Sequence, residues 1–386
     1  MKKIDLVQDT INNDDIDKLI SWLSKYPRLT KGPLTKEFEY KWSKWLGCKH
    51  SVFVNSGSSA NLLMIYALKY LNKLKNNKIC VPSLSWATDL SPVIQLDIEP
   101  ILIDCNLDNL SVDLGHLEQV FMSESPSVLI LVSVLGLSPD MDKIVELCQK
   151  YGVILLEDNC ESQGTKYKGK KLGNFGLMSS FSTYFGHTMS TIEGGMISTN
   201  DEEIYDILIQ LRSHGWDRDL SEDKQNELRK EWGVDEFSCL YTFYVPGFNL
   251  RSTDLQAKLG IDQLDKVDGM INNRYNNFLY YKSRLEGKIW FPKTFEDEFT
   301  SNFAIPFIAK TAEDKKKLIN ELNNNNIVCR PLISGSMGTQ PFYKKIYGEN
   351  KLPNCTIVDE MGIYVPNHDK MNKEDIDRVC DILLKY

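Results

Sequence analysis

The sequence predicts an α/β fold: a mainly parallel sheet covered by helices, followed by a smaller α+β region. Three observations carry that reading. Between about residues 50 and 200, short and almost continuously apolar runs alternate with helical patterns, as in strands buried on both faces. A chain of 386 residues is long enough for a large domain with an appendage. Beyond residue 244 that alternation gives way to a long helical stretch and a few isolated strands.

The elements follow in order. "SVFVNSG" (51–57) reads as a strand feeding the helix "SANLLMIYALKYL" (59–71). "NKICVPS" (77–83), "PILIDC" (100–105) and "SVLILVSVLG" (127–136) read as further strands. The helix "DMDKIVELCQKYG" (140–152) then leads into the strand "VILLED" (153–158). "STYFGHTMSTIEGGMIST" (182–199) reads as a strand end, a polar turn, Glu193-Gly194-Gly195 and a second short strand. Paired glycines there predict either positive φ or a close backbone approach. From "YVPGFNLRSTDLQAKLGIDQL" (244–264) a long helical segment runs to about Gly287. "NFAIPFIA" (302–309), "AEDKKKLINELNNNN" (312–326), "IVCRPLI" (327–333) and "KEDIDRVCDILLKY" (373–386) predict the smaller α+β domain. The expected division is 1–255, including an N-terminal segment 1–50, and 256–386.

Composition narrows the class. With 42% hydrophobic and 25% charged residues, the chain reads as an ordinary soluble globular protein. A net charge of −8 argues against general binding to nucleic acid or an anionic membrane. "MKKIDLVQDT" has two lysines and no apolar core behind them, so no signal peptide is expected. The longest apolar run, 127–136, is half of what a membrane span needs. The expected location is the cytoplasm. The nine cysteines include no pair closer than Cys148 and Cys160, so no CxxC or CxC motif exists. Reduced core thiols are expected rather than a zinc ribbon or an iron–sulfur cluster. None of the five histidines has the HxH, HxxxH or HExxH spacing of a local zinc site.

Parallel sheets place ligands beyond the carboxyl ends of their strands, here Asn55–Ser58, Pro82–Trp86, Asp158–Glu161 and the turn around His187. "NSGSSANLLM" (55–64) puts Gly57 and small hydroxyls at a helix start, an anion cradle or simply an N-cap. Trp86 in "SLSWATD" is either packing or a stacking platform. "LLEDNCES" (155–162) ends an apolar strand with Glu157, Asp158 and Glu161. Their desolvation calls for a partner such as a metal or a protonated heteroaromatic nitrogen, unless solvent reaches the strand end. His187, read alone, is equally a structural histidine.

Their order along the chain is more informative than any one of them. An SGS-type turn, a Trp after the next strand, a strand-ending Asp with an acidic residue three later, and "SxxxxH…EGG" follow one another. In this the chain resembles the sugar-nucleotide aminotransferases, fold-type I pyridoxal-phosphate enzymes, over essentially its whole length. The resemblance implies the aspartate aminotransferase-like fold with a seven-stranded, mainly parallel sheet. In that family a lysine six residues before the Glu of Glu-Gly-Gly holds the cofactor covalently. Here that position is His187, and no lysine lies between Lys171 and Lys224. Lysine replaced by histidine marks a small 3-dehydratase subgroup of the family. "CES" after Asp158, and "HGW" (214–216), point the same way.

The resemblance implies a non-covalent cofactor, pyridoxal 5′-phosphate (PLP) or its pyridoxamine form (PMP), with L-glutamate as amino donor and no iron–sulfur cluster. It implies C3 dehydration of a nucleotide-linked 4-keto-6-deoxy sugar, GDP favoured, hexose or heptose, for 3,6-dideoxy sugar synthesis and a surface polysaccharide. It assigns His187 to proton transfer, Asp158 to the pyridinium nitrogen and Trp86 to stacking. Gly57, Ser58 and Ser182 are assigned to the phosphate, with Asn249 reaching in from a neighbouring chain. Glu161 is placed by the ring oxygen or the glutamate site, and His214, Arg218 and Arg330 by the substrate. A site completed by a neighbour implies a homodimer. Two rival readings are a true aminotransferase and a non-catalytic binding or regulatory protein.

Overall fold

The computed structural model of the protein describes residues 2–386. Its main sheet has seven strands, in the spatial order His50–Val54, Gly195–Thr199, Met178–Ser182, Ile154–Asp158, Val128–Val132, Lys78–Pro82, Glu99–Ile103. Neighbouring strands from 178–182 to 99–103 run parallel. Only Gly195–Thr199 is reversed, antiparallel to both of its neighbours. Strands 128–132, 178–182 and 195–199 are buried at every residue. That explains their unbroken apolar or small-residue character.

Local chemistry sets the connections. Ser56 caps the helix Gly57–Tyr70, its hydroxyl accepting from Ser59 N–H at 3.1 Å. Asp140 caps Met141–Tyr151, and Gly152 ends that helix with φ 60°. One apolar cluster, including Leu63, Ile79, Leu156 and Ile197, fills one face of the sheet. A second, including Phe121, Leu131 and Ile144, fills the other.

The helical stretch after residue 250 is two helices, Asp254–Leu264 and Val267–Leu285, rather than one. A separate three-stranded sheet joins Ala304–Ile308, Gly362–Pro366 and Arg330–Pro331. It packs with Val267–Leu285 and Lys373–Leu383 around an apolar cluster that also takes in Leu84, Cys105, Val132, Val134, Leu135 and Leu137 beside the main sheet. Within 327–333 only Arg330–Pro331 forms strand, at the sheet edge. No helix among the described residues is long and apolar enough to cross a membrane.

Candidate active site

Most of the residues expected at the site leave the carboxyl ends of adjacent strands on one side of the sheet. The strand 154–158 alternates faces as a pleat must, and this separates two adjacent carboxylates. Glu157 turns away from the others and accepts backbone N–H bonds from Gly173, Phe175 and Gly176, each at 2.7 Å. It organises that turn. Asp158 accepts from Asn61 Nδ2 at 2.6 Å and from Cys160 N–H at 2.8 Å.

Asn61 lies one helical turn past Gly57 and links several groups. Its Nδ2 also donates to Asp89 at 3.1 Å, and its carbonyl accepts from the Ser180 hydroxyl at 2.6 Å. Asp89 is fully buried, and burial together with the neighbouring Asp158 pushes its pKa well above the usual carboxylate range. It stands beside Asp158 through the amide they share. It also accepts from Trp86 N–H at 3.0 Å, fixing the chain where the indole emerges. Trp86 itself is 56% exposed, an unusual state for so large a ring.

The two glycines of 193–195 lie outside the positive-φ region. Their smallness serves a close approach instead: a Cβ on Gly195 would fall 2.2 Å from Ser56 O. The loop between strands 178–182 and 195–199 is closed by Thr183 N–H to Gly194 O at 2.9 Å. The Thr183 and Thr191 hydroxyls bond to each other at 2.6 Å. Gln256 holds the Glu193 carbonyl at 2.7 Å. On this braced loop sits His187, its N–H bonded to Tyr184 O at 2.9 Å and its ring 5.4 Å from that of Phe303. Its Nδ1 is buried without a partner. Burial lowers the imidazole to a pKa of about 4; Asp158 opposes this and the buried Arg274 adds to it. The ring is neutral near pH 7, a state in which it can accept a proton.

Glu161 is also buried. Its Oε2 accepts from Leu135 N–H at 2.8 Å, and burial raises its pKa to about 8. It is mostly protonated at neutrality. Tyr364 feels the Glu161 charge and has its pKa raised to about 12, chiefly by burial, with Arg330 acting in the opposite direction. Arg330 pairs with Tyr364 in the small sheet and is exposed.

Gly57 and Ser182 meet directly, since a Cβ on Gly57 would lie 2.9 Å from that of Ser182. The Ser182 hydroxyl accepts from Tyr184 N–H at 3.2 Å, and Ser58 bonds Thr88 at 3.2 Å. His214, Arg218 and Asn249 form a second group. The Arg218 guanidinium lies 4.1 Å from the centroid of Trp216, and the His214 ring lies 5.1 Å from it. Arg251 donates to Asn249 at 3.0 Å. Among the described residues, no hydrogen bond joins Asn249, His214 or Arg218 to His187 or Asp158 in the same chain. The group is nevertheless tied to the strand end, because Asn55 N–H donates to Leu250 O at 3.0 Å.

Sequence reasoning left Asn61, Asp89, Arg274, Phe303 and Tyr364 out of the site. Asn61 and Asp89 lay inside stretches already singled out, but a polar residue within a helix carries no signal of its partner. A trio of Asp104, Cys105 and Cys355 elsewhere brings possible metal-ligating atoms within 4.8 Å of one another. There the Asp104 oxygens already accept N–H groups of Cys105, Asn354 and Cys355.

The donor set fits a flat, phosphorylated, protonatable heterocycle. A helix N-terminus with a small-residue turn offers N–H groups to an anion. Asp158 offers a buried carboxylate, Trp86 presents an open aromatic face, and the His187 Nδ1 is unpartnered. Fold and site together define an enzyme of the pyridoxal-phosphate fold-type I class with histidine where its lysine would stand. The chain belongs to the DegT/DnrJ/EryC1/StrS aminotransferase family, whose model matches residues 10–384. It is 33% identical to GDP-4-keto-6-deoxy-D-mannose 3-dehydratase of Escherichia coli O55:H7, over 96% of this chain and 97% of that one. Identity to the enzyme of the same name from Yersinia pseudotuberculosis is 32%, covering 92% of each. Two solved structures of GDP-4-keto-6-deoxymannose-3-dehydratase superpose with a TM-score of 0.90 each. One, a histidine-to-asparagine variant with bound GDP-perosamine, is 30% identical and covers 99% of this chain and 100% of that one. The other, holding a trapped PLP–glutamate geminal diamine, is 31% identical and covers 98% and 100%.

Proposed function

We propose that the protein is a PLP/PMP-dependent 3-dehydratase of a GDP-linked 4-keto-6-deoxy sugar, using L-glutamate as amino donor. The balance is one nucleotide sugar and one glutamate giving the 3-deoxy sugar, 2-oxoglutarate and ammonia. One observation carries the reading. The position of the family's lysine holds a buried, neutral imidazole that feels the Asp158 charge, and the relatives just named share that activity.

When bound, the cofactor supplies an amine to condense with a ketone and a ring that withdraws electrons. Asp158 would hold its ring nitrogen protonated, with Asn61, itself bonded to Asp89, fixing the carboxylate's orientation. Trp86 would cover one ring face. Gly57, Ser58 and Ser182 would take the phosphate, joined by Asn249 of a neighbouring copy. Glu161, largely a neutral acid, would donate to an oxygen at the ring or on glutamate. His187 takes up a proton at its ring nitrogen and returns it to the departing C3 oxygen of the sugar. His214, Arg218 and Arg330 would bind the acidic groups of the substrates.

A homodimer with shared sites, a cytoplasmic location, a role in surface-polysaccharide synthesis and a division near residue 255 belong to the same reading. The deciding experiment incubates the protein with PLP, glutamate and GDP-4-keto-6-deoxymannose. Ammonia and a sugar lacking the C3 oxygen are expected. An aminated sugar that keeps this oxygen would make the protein an aminotransferase. No turnover, and no spectral change on adding glutamate, would make it a non-catalytic relative.

A further inference from the structure

A cavity of ≈ 280 Å³ opens beside the edge strand His50–Val54, along the amino-terminal half of that strand. Within the main sheet the strand pairs only with Gly195–Thr199; its other edge is bridged at Val54 by Arg251, and the residues before that need other partners. Glu39 accepts from Phe53 N–H at 2.8 Å, Arg212 donates to Phe53 O at 2.8 Å, and the two side chains pair with each other.

These bonds engage only Nη1 of Arg212. The side chain is 1% exposed, its Nε is buried with no partner, and no hydrogen bond of the described residues reaches Nη2. Nε and Nη2 form one edge of the guanidinium, the fork that grips two oxygens of a carboxylate or phosphate. Lys31 lines the same cavity with its side chain 8% exposed, and bonds Asp219 at 2.7 Å. Lys36 and Lys49 stand exposed at its mouth, and His50, stacked on Tyr205 with ring centroids 4.4 Å apart, forms a wall. Four full cations thus face two carboxylates, Glu39 and Asp219, in a chain whose net charge is −8. Burial lowers the Lys31 pKa, and the Arg212 charge lowers it further. Asp219 and Glu39 act in the opposite direction, and the net shift is downward.

We propose that this cavity binds a tetrahedral oxyanion, free phosphate or a phosphate monoester, gripped by Arg212 with Lys31, Lys36 and Lys49 around it. The site is separate from the one built on Asp158 and His187, which lies beyond the carboxyl end of the same strand. It stands whether or not the reaction proposed above is the right one. Occupancy would neutralise the residue that immediately precedes Ser213 and His214, joining the anion site to the loop that carries Arg218.

The test is calorimetric titration of inorganic phosphate into protein saturated with PLP, whose own phosphate group then fills the Gly57–Ser58 turn. The control is chloride at equal ionic strength. Saturable phosphate binding is expected, weakened at least tenfold in the doubly substituted Lys36→Gln/Lys49→Gln protein, with its urea midpoint and turnover unchanged. Absence of saturable binding, or equal binding by that variant, overturns the proposal. So does loss of binding in Arg218→Ala, which would move the anion to the nucleotide-sugar site. Displacement of phosphate by a hexose 1-phosphate assigns the cavity to an ester, and failure to displace assigns it to the free ion.

Discussion

Asp89 and Asp158 are two buried carboxyl groups held by one amide: Asn61 Nδ2 donates to Asp89 at 3.1 Å and to Asp158 at 2.6 Å. Two negative charges so placed in a dry site would repel strongly. Burial first and Asp158 second raise the Asp89 pKa well above the usual carboxylate range, which favours its neutral form. Asp89→Asn keeps the shape of the side chain but turns an NH₂ group toward either Trp86 N–H or Asn61 Nδ2, both of which the carboxyl accepts from. It should cost about 1–3 kcal/mol of stability and leave most of the turnover. Asp158→Asn removes the charge expected at the cofactor nitrogen and should cost about 100-fold or more in kcat. Urea melts and steady-state rates on the two variants check the contrast.

His187 is the second case. His187→Asn keeps a polar side chain of similar reach and removes the base, so dehydration should fall by about 100- to 10,000-fold. Binding of PLP, followed by its absorbance, should persist. His187→Lys should capture the cofactor covalently, seen as a mass increase after borohydride reduction, and should lose dehydration.

The pH dependence of stability follows from the shifted groups. His187 and His368 both have pKa values lowered to about 4, chiefly by burial, from the usual 6.5. In the interval between those values the unfolded chain binds more protons than the folded one. Stability is thus full above about pH 6.5 and is lost as pH falls through 4. For the fully buried His187 this amounts to roughly 3 kcal/mol. Glu161 has the opposite sign. Its pKa is raised to about 8 by burial, so its contribution is full below about pH 4.5 and fades as pH rises through 8. Urea midpoints of the cofactor-free protein, measured from pH 4 to 9, should fall on both sides of neutrality. Glu161→Gln should flatten the alkaline side alone.

Glu157 tests the difference between a site residue and a scaffold residue one position away. Glu157→Gln places an NH₂ group against at least one of the three N–H donors at 173, 175 and 176. A loss of about 1–3 kcal/mol is expected, with cofactor affinity unchanged. Thermal melts and a PLP titration measure the two effects independently.

Much of this site was legible because strand ends can be read from sequence. A run such as "VILLED" announces both the strand and the place where its polar residues emerge. The same run could not say that Glu157 and Asp158 face opposite ways, because a strand covered on both faces shows no alternation to set the phase. Arg274, Phe303 and Tyr364 come from the helix and sheet beyond residue 266. Long-range packing brings them near His187 and Glu161, and no local spacing encodes that. The break between the helices 254–264 and 267–285 was missed for a related reason. Asp265 and Lys266 are ordinary helix-compatible residues, and no glycine or proline punctuates the join.

The one reversed strand, Gly195–Thr199, sends the chain back across the sheet as soon as it has left Met178–Ser182. The segment between them is thus a short span anchored at both ends by strands buried at every residue. Whatever side chain occupies its apex inherits a fixed address. On the function proposed above, exchanging an amine for an imidazole there would alter what the catalyst does without asking the scaffold to move, so the outcome of the reaction would be set at a single residue.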